Sequence, residues 1–156
     1  MNIDIVGAFR QAVVSVLESY GFGQPRLADV LVCREVCVRE DALGVSIEFD
    51  GDLAGVLAFV FPRADLPGIA GQVVRGEIGP DQIEDRQDIV AELANIVAGH
   101  AMGQLYGQGL GVDITPPLLL PGPEVAWHFA DEADTVVIPV QTDRGKLELV
   151  LSISPS

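Results

Sequence analysis

The stretch Asp88–Gly122, DIVAELANIVAGHAMGQLYGQGLGVDITPPLLLPG, carries most of a long expected helix, from about Asp81 to Tyr106, which Gly107, Gly109 and Gly111 bring to an end. At about 100° per residue, with Glu92 set at zero, Asp88, Asn95, Gly99 and Gly103 all fall within about 60° of it. Roughly opposite lie Val90, Leu93, Val97 and Ala101, a stripe expected to pack on a core. Asn is a mediocre helix former, and each interior Gly costs about 1 kcal/mol relative to Ala. Asn95, Gly99 and Gly103 therefore weaken the helix that carries them. Two explanations stand: close packing against another helix on small residues, or a surface kept bare so that another backbone or a partner protein approaches beside Glu92 and Asn95. Local rules broken together on one surface are where functional sites tend to be found.

At the N-terminal end, Ile3–Tyr20 repeats apolar residues at Val6, Phe9, Val13, Val16 and Leu17, a helical spacing that stops at the Gly21–Pro25 turn. Three strand-like runs follow, near Val30–Val38, Ala42–Phe49 and Leu53–Phe61, and Asp50-Gly51-Asp52 between the last two is a hairpin signal. Ile69–Arg75 reads as a short helix, which Gly79-Pro80 separates from the long one. Beyond the long helix come an extended ITPPLLLP segment, a strand near Val125–Phe129, and a hairpin of Thr135–Gln141 with Leu147–Ser154 around Thr142-Asp143-Arg144-Gly145. Helix followed by strands occurs twice. This order predicts an α+β fold, an antiparallel-rich sheet covered by helices with an internal pseudo-repeat, as one domain over residues 1–156.

Nine basic and 23 acidic residues leave a formal charge of −14 on 156 residues. Such a balance opposes phosphate backbones and anionic lipid, so neither nucleic acid nor a membrane is expected as a partner. No apolar run approaches the roughly 18 residues that cross a bilayer. Asp4 and Arg10 interrupt the N-terminal apolar residues, so a secretory signal is not read and a cytoplasmic location is expected. Cys33 and Cys37, on one extended strand, would lie about 13 Å apart and so would not pair with each other. With His100 and His128 as the other soft ligands, no zinc spacing emerges, and no metal or cofactor of the chain's own is expected.

GQGLG at 107–111 follows a helix, where a dinucleotide fingerprint would join strand to helix, and no Walker-type GKS or GKT occurs. No Ser or Cys sits in a nucleophile elbow. His100 and His128 read as core or surface residues, and Trp127 as core. What remains is one carboxylate and one carboxamide on a helix. Asn neither gives nor takes a proton readily at neutral pH, but it both donates and accepts hydrogen bonds and so fixes a water molecule. Phosphoryl transfer suits such a group, since it needs an aligned water and charge stabilisation more than covalent help. Glu92 reads either as a solvated surface charge or as the partner of a Lys or Arg on whatever carries the phosphoryl group. Asp88 also reads as a helix-start acid that complements the macrodipole.

Glu92-Leu93-Ala94-Asn95-Ile96-Val97-Ala98-Gly99, followed by Val112-Asp113-Ile114-Thr115-Pro116-Pro117 and Pro121-Gly122, resembles the signature of the CheC/CheX family of chemotaxis phosphatases, on its CheX branch. Asp88 stands where the family has an acid or Ser four residues before the Glu. The resemblance implies a CheC/CheX-like two-layer fold and hydrolysis of the aspartyl phosphate of a CheY-type response regulator. Asn95 would then orient the attacking water and Glu92 would pair with a Lys of the regulator. Gly99 and Gly103 would keep the approach open, and Pro116 and Pro117 would shape the segment after the helix without touching the phosphate. The Mg²⁺ would belong to the regulator. A homodimer is also implied, with sheet edges as the obvious surface. Gln11 and Val14 on the first helix do not reproduce the Glu–Asn pair, so one site per chain is expected. The competing reading is a non-catalytic adaptor of the same fold that binds a response regulator or a flagellar switch component; a third is a structural role with the pair buried between helices.

Overall fold

The computed structural model describes residues 4–32, 37–74, 83–120, 122, 124–127 and 134–154. The first helix, α1 (Ile5–Ser19), is capped by Asp4, whose carboxylate accepts from the Gly7 N–H at 2.8 Å. There follow β1 (Arg26–Leu27), β2 (Leu31–Val32), β3 (Cys37–Glu40), β4 (Ala42–Gly51) and β5 (Ala54–Pro62). A 3-10 turn at Arg63–Asp65 leads into α2 (Leu66–Val74), and α3 runs from Ile83 to Gly107. The chain closes with β6 (Val112–Ile114), β7 (Leu118–Leu120), β8 (Glu124–Trp127), β9 (Asp134–Thr142) and β10 (Gly145–Ser154).

The main sheet has the order β1-β9-β10-β5-β4-β6, with β2 also on β9 and β7 also on β4, and all its pairings are antiparallel. Alternation along its strands divides the faces. Leu43, Val45, Ile47 and Phe49 of β4, with Leu57, Phe59 and Phe61 of β5, share one buried cluster with the apolar faces of α1, α2 and α3. Ala58, Val60, Val137 and Val150 point to the opposite face, where Val125 of β8 covers them. There β3 and β8 form a small two-stranded sheet, fastened to the main one by Arg39, whose Nε and Nη2 donate to the Glu148 carboxylate at 2.8 and 3.2 Å. The expected two layers therefore gain a small third one.

The register shows the pseudo-repeat more plainly than the residues do. On one edge, Leu27 faces Val140 and Leu31 faces Val137, so four steps along the edge match three along β9. On the other, Ile114 faces Phe49 and Leu118 faces Ser46, again four against three. Each edge thus carries one extra residue, a bulge, at the same place in each half. Hairpins β4–β5 and β9–β10 meet at the centre through β5 and β10.

One expected element is corrected. The expected strand Val30–Val38 does not stay in one sheet: Leu31–Val32 joins β9 in the main sheet, whereas Cys37–Glu40 joins β8 in the small one, and residues 33–36 lie outside the described ones. An apolar run that changes sheets has the same composition as one that does not, so alternation alone misses the change. Cys33, on which the expected Cys33–Cys37 separation depends, lies outside the described residues. Residues 81–82 and 128–129, at the ends of two expected elements, also lie outside them.

Candidate functional site

The apolar stripe of α3 falls where its spacing predicts. Val90, Leu93, Val97 and Ala101 are buried, joined by Ala94, Ala98 and Leu105, against α1 and α2. Burial of these side chains, each worth about 1.5–3 kcal/mol for the large ones, fixes the rotation of the helix. That rotation turns Asp88, Glu92, Gly99 and Gly103 to the outside, with Asn95 half-buried at the margin of the same face.

The two explanations for the glycines separate here. A Cβ built on Gly99, Gly103 or Gly107 meets nothing within 4 Å, so no neighbouring element described in the chain uses the space they leave. Close packing against another described helix of the chain is not their reason. The pair itself is not buried between helices either: Glu92 is exposed, and neither Glu92 nor Asn95 has a hydrogen-bond or ion-pair partner among the described residues. Asn95 stands one turn beyond Glu92, about 4.5 Å further along the axis. A carboxylate and a carboxamide with free hydrogen-bonding capacity, side by side on an open face, can engage a cation and a water of an approaching partner.

The carboxyl end of α3 is held to the sheet. Asp52 N–H donates to the Gly111 carbonyl at 2.9 Å, and Gly111 N–H donates to the Asp52 carboxylate at 2.8 Å. This closeness needs Gly51, with φ +134° and a would-be Cβ 2.5 Å from the Gly111 oxygen. Pro116 and Pro117 fall in the β6–β7 bulge at the sheet edge, where a residue without an N–H removes no ladder bond. Thr115 anchors that passage: its N–H donates to the Glu48 carbonyl at 2.9 Å and its hydroxyl accepts from Glu48 N–H at 3.0 Å. The structure thus brings Asp88, Glu92, Asn95, Gly99 and Gly103 together on α3 and sets the two prolines apart, on the sheet edge.

Tyr106 extends the face. It lies 14 residues after Glu92, within about 40° of it on the helical wheel, and is 77% exposed. The same helical count carried one turn beyond Gly103 reaches it, just before the glycines that end the helix. His100 is exposed beside the face, whereas His128 and the Trp127 side chain lie outside what is described. Among the described residues no group of three or more His, Cys, Asp or Glu is placed to hold a metal ion, and no helix is long and apolar enough to cross a membrane.

Residues 43–141 match the family model described as CheX, chemotaxis phosphatase CheX. No curated protein sequence matches the chain. Among solved structures, the chain is similar to a chemotaxis protein CheX from Desulfovibrio desulfuricans, at 20% identity and TM-score 0.84 over 97% of this chain and all of that one. It is also similar to a CheC-like superfamily protein from Shewanella sp. PV-4, at 18% identity and TM-score 0.85 over 99% of this chain and 100% of the other. A third similar structure is the CheX–CheY–BeF3–Mg²⁺ complex from Borrelia burgdorferi, at 19% identity and TM-score 0.76, covering 99% and 100%. At these identities the structural likeness establishes the fold.

Proposed function

Because the chain belongs to the CheX family, we propose that it is a phosphatase acting on the aspartyl phosphate of a CheY-type response regulator in chemotaxis signalling. The observation that carries this reading is the Glu92–Asn95 pair on the open face of α3, free of partners among the described residues. Asn95 holds a water in line with phosphorus. The water oxygen bonds to phosphorus as the bond from phosphorus to the Asp oxygen breaks, releasing the regulator's carboxylate and inorganic phosphate. Glu92 pairs with a Lys of the regulator and sets the register of the encounter. Mg²⁺, which the similar Borrelia burgdorferi complex contains together with CheY, is brought by the regulator. Asp88 and the bare backbone at Gly99 and Gly103 border the contact, and Pro116 and Pro117 support it from the sheet edge.

Residues 1–156 act as one unit, in the cytoplasm, as a homodimer. The two sheet edges leave Val32 of β2 65% exposed and Leu118 of β7 64% exposed, apolar edge positions of the kind that strand pairing between copies would cover. Scattering mass in solution reports the dimer.

The test of the activity is the decay of a purified, phosphorylated CheY-type regulator of the same organism with Mg²⁺. Decay accelerated by this chain supports the phosphatase. Binding to the phosphorylated regulator without acceleration replaces it with the adaptor reading.

A further inference from the structure

The duplicated register sets two shallow clefts in equivalent places on the sheet face turned away from the helices. One, of about 280 Å³, is lined by Arg26, Ala28, Pro62, Pro139, Gln141 and Lys146 among others. The second, of about 480 Å³, is lined by Glu48, Asp50, Asp113 and Thr115 with apolar neighbours. Each adjoins its edge bulge. Just before that bulge the first has the cross-strand pair Arg26↔Gln141 where the second has Asp113↔Asp50. Equivalent positions thus carry opposite charge.

The first cleft is unusual for this chain, which has nine cationic residues against 23 acidic ones. Arg26 and Lys146 are both direct cross-strand partners of Gln141, one on each side, so the three form a row over β1, β9 and β10. At about 4.8 Å between strands, the two cationic residues stand about 10 Å apart on one face, one on each side of Gln141, a gap that their long side chains flank. Neither has a hydrogen-bond or ion-pair partner among the described residues. Glu148, the acid that lines the same cleft, is already engaged on both oxygens by Arg39. The Gln141 amide nitrogen donates to the Thr142 carbonyl at 2.9 Å, which leaves charge recognition to Arg26 and Lys146. Pro62, Pro139 and Ala28 give the cleft an apolar side.

We infer that this cleft binds a small organic anion, its carboxylate or phosphate held between Arg26 and Lys146 above Gln141 and its apolar part lying on Pro62 and Pro139. The guanidinium supplies a planar fork that fits either headgroup, and the ammonium a second point charge. This site lies on the sheet face opposite the helices and does not depend on the phosphatase reading of α3.

Amide NMR of the full chain, titrated at constant ionic strength with inorganic phosphate, phenyl phosphate and benzoate, tests it. Expected are saturable shifts centred on Gln141 and Lys146. Phenyl phosphate should bind more tightly than inorganic phosphate, and the comparison with benzoate decides between phosphate and carboxylate. Arg26→Gln and Lys146→Gln should each weaken binding about tenfold or more, while Arg10→Gln, an equal loss of charge on α1, and Asn95→Ala should not. Shifts spread over the surface without saturation, equal binding by Arg26→Gln and Arg10→Gln, or a change of oligomeric mass in place of lost binding would each overturn the inference.

Discussion

Asn95 follows Glu92 by one turn on the open face of α3, and neither side chain is engaged by any other described residue. Variants at these two positions therefore separate function from folding. Asn95→Ala removes a hydrogen-bonding group that stabilises nothing visible in the fold and adds a better helix former, so its unfolding free energy should stay within about 0.5 kcal/mol of the wild type or rise. Loss of the aligned water should slow dephosphorylation about 100-fold or more while leaving affinity for the phosphorylated regulator unchanged. Glu92→Lys reverses a charge at the encounter and should lose affinity first. Equal loss of binding in both variants contradicts this division of roles.

Gly99→Ala and Gly103→Ala place a methyl group in empty space. Each should stabilise the chain by about 1 kcal/mol, a rise of about 2–4 °C in Tm for a chain of this size. Both should lower the acceleration of regulator dephosphorylation, because the partner's surface needs that space. Thermal melts and the decay assay on the same preparations check the two effects. A variant that gains stability and keeps full acceleration shows that the bare surface is not a contact.

Much of this was legible in the sequence, for identifiable reasons. A 25-residue helix has enough turns for its periodicity to fix which face is buried, so Val90, Leu93, Val97 and Ala101 were placed correctly, and Glu92 with them on the open side. The hairpins β4–β5 and β9–β10 announce themselves by turn residues between apolar runs. The two-residue strand β1 does not, because a pair that short exists only through the β9 edge it meets. The same holds for the change of sheet between Val32 and Cys37, since one apolar run serves both. Tyr106 shared the helical repeat of Glu92 but was masked by the run of glycines that follows it, and the charge contrast between the two clefts required the register.

Leu93 is buried on the face of α3 that sets its rotation. Leu93→Ala should cost about 2–5 kcal/mol, measured as a lower denaturant midpoint. Because a loosened α3 no longer holds Glu92 and Asn95 in register, activity should fall by more than the folded fraction does.

Gly51 holds a φ of +134° and its would-be Cβ meets the Gly111 carbonyl. Gly51→Ala should cost about 1–3 kcal/mol from backbone strain, together with loss of the Asp52–Gly111 bonds that hold the end of α3. Hydrogen exchange accelerated at Gly111 and Asp52 and unchanged inside β4 is the expected signature; an equal acceleration throughout β4 contradicts it.

Hydrolysis through Asn95 is tested most directly by the dephosphorylation rate of a phosphorylated CheY-type regulator held at saturating wild-type chain and at saturating Asn95→Ala. Rapid decay is expected with the wild type and, with a fully bound Asn95→Ala, decay close to that of the regulator alone. Equal acceleration by both proteins would contradict it, since hydrolysis would then not run through Asn95.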